Sequence, residues 1–124
     1  MRFTLVIFML FGAAACRAQE VGNQPPQWRA LAISMLAHGA ATGFDSWTSW
    51  QRPERNGLLA DNGRFTARSV SVKSGIVGGV SLIEILVVKK WGATHHWIAR
   101  ACEIGNFTSA GMLTGAGVSN LHRR

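Results

Sequence analysis

His38 and Asp45 stand seven residues apart in a largely apolar, proline-free stretch over 28–50, and Glu84 is the single acid of a second apolar stretch over 67–90. On a helix, a separation of seven puts the imidazole and the carboxylate on one face, about 10 Å apart along the axis. An imidazole and acids turned into a helical bundle are the groups that relay protons or bind a metal. A polar stripe that faces water, or the polar parts of neighbouring helices, gives the same pattern. Lys73 shares the face of Glu84 but lies about 16 Å away, too far for a direct pair within one helix. Inside a membrane Glu84 therefore needs a partner from another helix, and His38 and the Asn106 amide are candidates.

The other chemistry-bearing residues do not assemble into a site. His95 and His96 are adjacent, so a regular helix cannot aim both rings at one ion, and Cys102 and His122 are too dispersed to complete a ligand set. No metal site is expected. There is no nucleophile elbow, P-loop, dinucleotide fingerprint or His-Glu-x-x-His, so no cofactor is expected either. Asn106-Phe107-Thr108 fits a glycosylation sequon inside an apolar helix, where it reads as chance.

The elements that must position these groups are marked by glycine. Three Gly-x-x-x-Gly pairs, Gly39/Gly43, Gly75/Gly79 and Gly111/Gly115, recur 36 residues apart, each in the middle of an apolar stretch. Glycine in a helix costs about 1 kcal/mol relative to alanine, and paired glycines suit helices whose backbones approach closely in lipid. The pairs are expected to be helix-packing faces, for each other or for a partner's helices. The residues flanking them do not match, so the spacing reflects three similar helix-plus-loop lengths rather than a side-chain repeat.

The expected fold is all-α: a cleavable signal peptide at 1–18, an exposed linker at 19–27, and one domain over 28–124. That domain is a membrane-embedded bundle of three short, glycine-rich helices at about 28–50, 67–90 and 94–121. On the first helix Ile33, Leu36, Ala40, Phe44 and Trp47 oppose Ser34, His38, Thr42, Asp45 and Ser49. The loop at 51–68 contains Pro53, Asn56-Gly57, Asn62-Gly63 and four arginines. The second helix stops at Lys89-Lys90-Trp91-Gly92. Its β-branched run over 76–88 also suits a buried strand, but length and the scarcity of hairpin signals favour helix. The third is uncharged from Ile104 to Leu121, yet polar enough to need protein neighbours.

The leader has Met1-Arg2, an apolar run from Phe3 to Ala15, and Ala18 before the expected cleavage. Its apolar run of about 13 residues is short of the roughly 20 that span a bilayer. Lipidation at Cys16 is an alternative. Cleavage leaves Cys102 as the single cysteine, so no intrachain disulfide forms. The full chain has a formal charge of +7. An export signal separates that charge from cytoplasmic nucleic acid, and no aromatic platform interleaves with the bases, so anionic membrane lipid is the expected partner and nucleic acid is not. The inner membrane, reached by the secretory pathway, is the expected location, with the periplasm as the alternative. Arginines of the 51–68 loop and the C-terminus outnumber the basic residues of the other side by six to four, in keeping with a cytoplasmic loop.

Asp45-Ser46-Trp47-Thr48-Ser49, then Glu54-Arg55-Asn56-Gly57-Leu58-Leu59, then Asn62-Gly63-Arg64-Phe65 resemble a group of small uncharacterised bacterial exported or membrane helical proteins. These have an Asp and Ser/Thr cluster, Glu-x-Asn-Pro-Leu-Leu, and Gly-Arg-Phe before a second apolar helix. The resemblance runs from His38 to about Gly79, and Gly57 replaces the group's proline. It implies the architecture and assigns no activity. In that loop Glu54 and Asn56 are expected to cap helix ends, with Leu58 and Leu59 turned back toward the bundle or membrane.

The function expected from these features is structural or interactive, through self-association or contact with other membrane helices. A soluble or peripheral periplasmic helical protein is one alternative. A small proton-coupled carrier or enzyme using His38, Asp45 and Glu84 is another.

Overall fold

A computed structural model describes residues 26–122, and the leader, Cys16, most of the 19–27 linker and the last two arginines lie outside them. The described chain is three helices: α1 Pro26–Ser49, α2 Ala67–Trp91 and α3 His96–His122. These match the expected bounds within two residues. Their 24, 25 and 27 residues give lengths of about 36–40 Å, enough for a hydrocarbon layer of about 30 Å. The β-branched run of α2 is helical, and no strand forms among the described residues.

Local chemistry sets the ends. Pro26 opens α1, where its missing N–H is no loss. Gln51, with φ of 62°, turns the chain away after α1. Thr66, in extended backbone, stands at the N-cap of α2, and its N–H donates to Ser69 Oγ at 2.8 Å. Lys89 and Lys90 fill the last turn of α2, where cations suit the carbonyl end of the helix dipole. Gly92 follows, and its N–H closes on Val88 O at 2.8 Å.

Between α1 and α2 the chain folds back on itself. Gln51 and Phe65, and Glu54 and Gly63, are joined by backbone bonds of 2.9 Å. The turn between them is Asp61-Asn62-Gly63-Arg64, with φ of 51° at Asn62 and 73° at Gly63, the two positive angles that an Asn-Gly type I′ turn requires. Phe65, 2% exposed, anchors the returning arm. Glu54 and Asn56 do not cap helices as expected: Glu54 Oε1 accepts from Asn56 N–H at 2.8 Å and Asn56 Oδ1 from Leu58 N–H at 3.0 Å, because both lie within a turn of the loop.

The helices run up, down and up. Ser34 and His38 meet Asn106, and Ser49 meets Asn120, so α1 and α3 are parallel; α2 is antiparallel to α1, with Lys73 at Asp45 and Glu84 joined through Asn106 to the earlier Ser34 and His38. The α1–α3 contact is the main one. It is built from Leu31, Ser34, His38, Ala41, Asp45 and Thr48 on α1 against Ala99, Glu103, Asn106, Ala110 and Gly117 on α3. The steps of three and four on α1 are those of a coiled-coil seam, which keeps a 3.5-residue repeat facing its partner. Leu31, Val88 and Ala99, with Trp28 and Ile98, form the apolar core where α1 and α3 start and α2 ends.

Polarity is inverted along this bundle. Ser34, Thr42, Asp45, Ser46, Thr48, Ser69, Glu103 and Asn106 are buried, whereas Ile83, Leu86, Ile104 and Met112 are more than half exposed. The stripe of α1 faces its neighbours, and the apolar side of the same helix faces outward. Among the described residues, exposed Lys and Arg side chains are confined to the ends: Arg29, Lys89, Lys90 and Arg100 at one, and Arg55, Arg64 and Arg68 at the other.

Candidate functional site

The buried polar groups form two storeys in the seam. Nearest the loop, Lys73 Nζ on α2 donates to Asp45 Oδ2 on α1, with 14% and 11% of the two side chains exposed. The Phe65 ring centroid lies 5.9 Å from the same ammonium, within reach of a cation–π interaction. Thr48 Oγ1 donates to Asp45 O at 3.0 Å, so its hydroxyl leaves no unmet polar atom in the seam. A lysine and an aspartate held out of water are stable only as a pair, because either alone leaves an uncompensated charge.

Two turns lower, α3 supplies a hub. Asn106, 2% exposed, donates from Nδ2 to Glu84 Oε2 at 2.8 Å and to Ser34 Oγ at 3.3 Å, and its Oδ1 lies 3.2 Å from His38 Nδ1. Ser34 spends its own proton on Leu31 O at 2.8 Å, so Ser34 Oγ accepts from the amide. The amide orientation is thereby fixed, and Oδ1 is left to accept from His38. Thr42 Oγ1 donates to the carbonyl of His38 at 2.8 Å. Among the described residues no buried side-chain nitrogen or oxygen lacks a partner, as a low-dielectric seam demands.

The expected trio thus divides. Glu84 and His38 are joined through Asn106, while Asp45 belongs to the other storey with Lys73. Lys73 pairs away from its own helix, as its 16 Å separation from Glu84 requires. Sequence reasoning gave Asn106 only as a possible partner for Glu84 and missed its bond to Ser34. The signal was available: Ser34 and His38 differ by four, and an amide, with separate donor and acceptor atoms, can bond to both across such a gap. Glu103 is buried and accepts from Arg100 Nη1 at 3.1 Å, with the arginine 74% exposed.

The glycine pairs lie elsewhere. Gly39, Gly43, Gly75, Gly79, Gly111 and Gly115 are all exposed, and a Cβ on any of them meets no atom within 4 Å outside its immediate surroundings. They are not contacts between helices of one chain. The close approach falls on Gly117, where an added Cβ lies 2.5 Å from the Phe44 ring and 3.3 Å from Thr48 Oγ1. Gly117 lies seven residues after Ala110, on the buried seam of α3, whereas Gly111 and Gly115 fall beside it on the exposed side.

His38 and Lys73 also line an open hollow of about 350 Å³, together with Val77, Met112, and Leu58 and Leu59 of the loop. Leu59 is half-buried, whereas Leu58 is exposed. His95 and His96 are exposed beside Trp91, and no group of three potential metal-binding side chains occurs among the described residues. Comparison with family models, curated proteins and solved structures gives no match.

Proposed function

We propose that the chain is a small membrane-embedded helical protein with a structural or interactive role, working through helix contacts inside the bilayer. The inverted polarity carries this reading. In water a bundle buries its large apolar side chains and exposes its polar ones, whereas here Ser34, Asp45 and Asn106 are inside and Ile83, Leu86 and Met112 outside. Further support comes from α2, which among the described residues is the helix apolar and long enough to cross a membrane. α1 and α3 are less apolar and would be carried by their polar contacts with each other and with α2. The end-placed arginines and lysines would then lie at the headgroups, with Trp47 and Trp50 at one boundary and Trp91 and Trp97 at the other.

The exposed glycine pairs favour an interactive role. Gly75 and Gly79 give α2 an open strip flanked by exposed Ile76, Val80 and Ile83, a surface that another helix could approach closely. The loop's resemblance to small exported helical proteins agrees with this setting. Alkaline carbonate extraction of the expressed full chain tests it: retention in the membrane pellet is expected, and release into the soluble fraction would favour the peripheral periplasmic alternative. For the contact role, Gly75→Leu with Gly79→Leu should abolish cysteine cross-linking or co-purification between tagged copies or with partner helices. Unchanged association would remove the glycine strip from it.

A further inference from the structure

We propose that the end of the bundle formed by the α2–α3 turn and the start of α1 binds anionic phospholipid, with the phosphate on a basic side chain and an acyl chain along the apolar residues beneath it. This rests on the membrane-embedded reading above, and adds to it the chemistry of the partner and the residues that meet it.

One pattern recurs on all three helices at this end. On α1, Arg29 is followed at four and seven residues by Ile33 and Leu36, and on α3, Arg100 is followed at the same intervals by Ile104 and Phe107. On α2, which runs the other way, Lys90 is preceded at four and seven residues by Leu86 and Ile83. Such intervals set the members of each group on one helix face, over about 10 Å of axis. Every one of these side chains is exposed. Each group is therefore a column with its cation at the tip and its large apolar side chains toward the middle of the bundle. A phospholipid has the same order, phosphate outside and acyl chain inside, and a long basic side chain reaches headgroup level while its stem stays on apolar surface.

The loop end has no such column. There Arg68 is the exposed basic residue on a helix among the described residues, and three, four and seven positions on stand Ser71, half-buried Val72 and Gly75, which offer an acyl chain little apolar surface. Arg55 and Arg64 belong to the loop, which also holds Glu54 and Asp61. At the columned end the positive charge is unopposed. No Asp or Glu is exposed among the described residues, and Glu103 meets Arg100 through Nη1 while that arginine stays 74% exposed, with further N–H donors in its fork for a phosphate. Lys90 Nζ lies 4.6 Å from the centre of the Trp91 ring, which holds the ammonium at the surface without neutralising it. A soluble anion would use the cations alone, so the apolar columns favour lipid as the source of the phosphate.

Spin-labelled phosphatidylglycerol or phosphatidylcholine, added in trace to the full chain reconstituted in phosphatidylcholine vesicles, tests this through the share of label slowed at the protein surface. The expected result is a preference for phosphatidylglycerol of about fivefold, the scale of one basic residue near an anionic surface. Arg29→Gln with Lys90→Gln should lower that preference by half or more, whereas Arg55→Gln with Arg68→Gln, which removes the same charge from the loop end, should leave it unchanged. Equal slowing of the two lipids, or an equal loss from the loop-end pair, overturns the proposal and leaves the membrane reading standing. Slowing of neither lipid removes the membrane reading and the proposal with it. Inorganic phosphate should displace the label no more than chloride at the same ionic strength, and selective displacement by phosphate overturns lipid as the occupant.

Discussion

Asn106 of α3 donates to Glu84 of α2 at 2.8 Å, and the same amide takes Ser34 and His38 of α1, so one side chain ties all three helices together. Removing it takes the helix-to-helix partner from the Glu84 carboxyl and from the His38 ring, and leaves Ser34 with its bond to Leu31 O alone. Asn106→Leu is expected to cost about 3 kcal/mol, as for other variants that strand buried polar groups. Unfolding of the full chain in detergent measures it. Asn106→Asp keeps the size but removes the amide donor that Glu84 Oε2 and Ser34 Oγ accept from, so it should be destabilised as well.

The Asp45–Lys73 pair obeys a different rule. Asp45→Asn or Lys73→Met, each leaving one charge behind, should destabilise by about 3–5 kcal/mol, whereas Asp45→Leu combined with Lys73→Met should recover most of that loss. A double-mutant cycle reads the coupling directly. If the double variant is as unstable as the sum of the singles, the two groups are not partners.

The glycines separate by position. Gly117→Ala pushes a methyl into the Phe44 ring and should cost about 1–3 kcal/mol, the range for overpacked sites. Gly111→Ala, whose new Cβ meets open space, should be neutral or raise helix stability by up to about 1 kcal/mol. Thermal unfolding of both variants side by side decides whether the α1–α3 seam passes through Gly117.

The type I′ turn gives a local test. Gly63 at φ of 73° accepts a Cβ only with backbone strain, although no neighbouring atom crowds it. Gly63→Val should therefore destabilise the full chain by about 1–2 kcal/mol, and Asn62→Gly should not. Proteolysis of the loop, faster in Gly63→Val alone, checks that the effect is local.

Much of the architecture was legible in the chain because it depends on local chemistry. Lys89-Lys90-Trp91-Gly92 ends a helix by charge and by the glycine after it, and Asn62-Gly63 names its turn; both act within a few residues. The grouping of His38 with Asp45 on one face of α1 was legible for the same reason, since helical period alone sets it. Which way that face turns was not. A stripe of Ser34, His38 and Asp45 reads as solvent-facing by ordinary amphipathic logic, and only the positions of Lys73, Glu84 and Asn106 on the other helices turn it inward. The glycine pairs misled in a related way: Gly39/Gly43 and Gly111/Gly115 announce a close approach, but the register between α1 and α3 follows Ala41, Ala110 and Gly117. Register is a property of two helices together.

The central claim is that the outer surface of this bundle faces hydrocarbon while its polar residues face one another. Nitroxide labels at residues 83 and 112, whose native Ile and Met are 61% and 72% exposed, and at the loop residue Asn56, measure it in the full chain reconstituted in vesicles. Labels at 83 and 112 are predicted to relax strongly with oxygen, which partitions into lipid, and weakly with a water-soluble nickel complex, with the reverse at 56. Strong nickel relaxation at 83 and 112 would contradict the account.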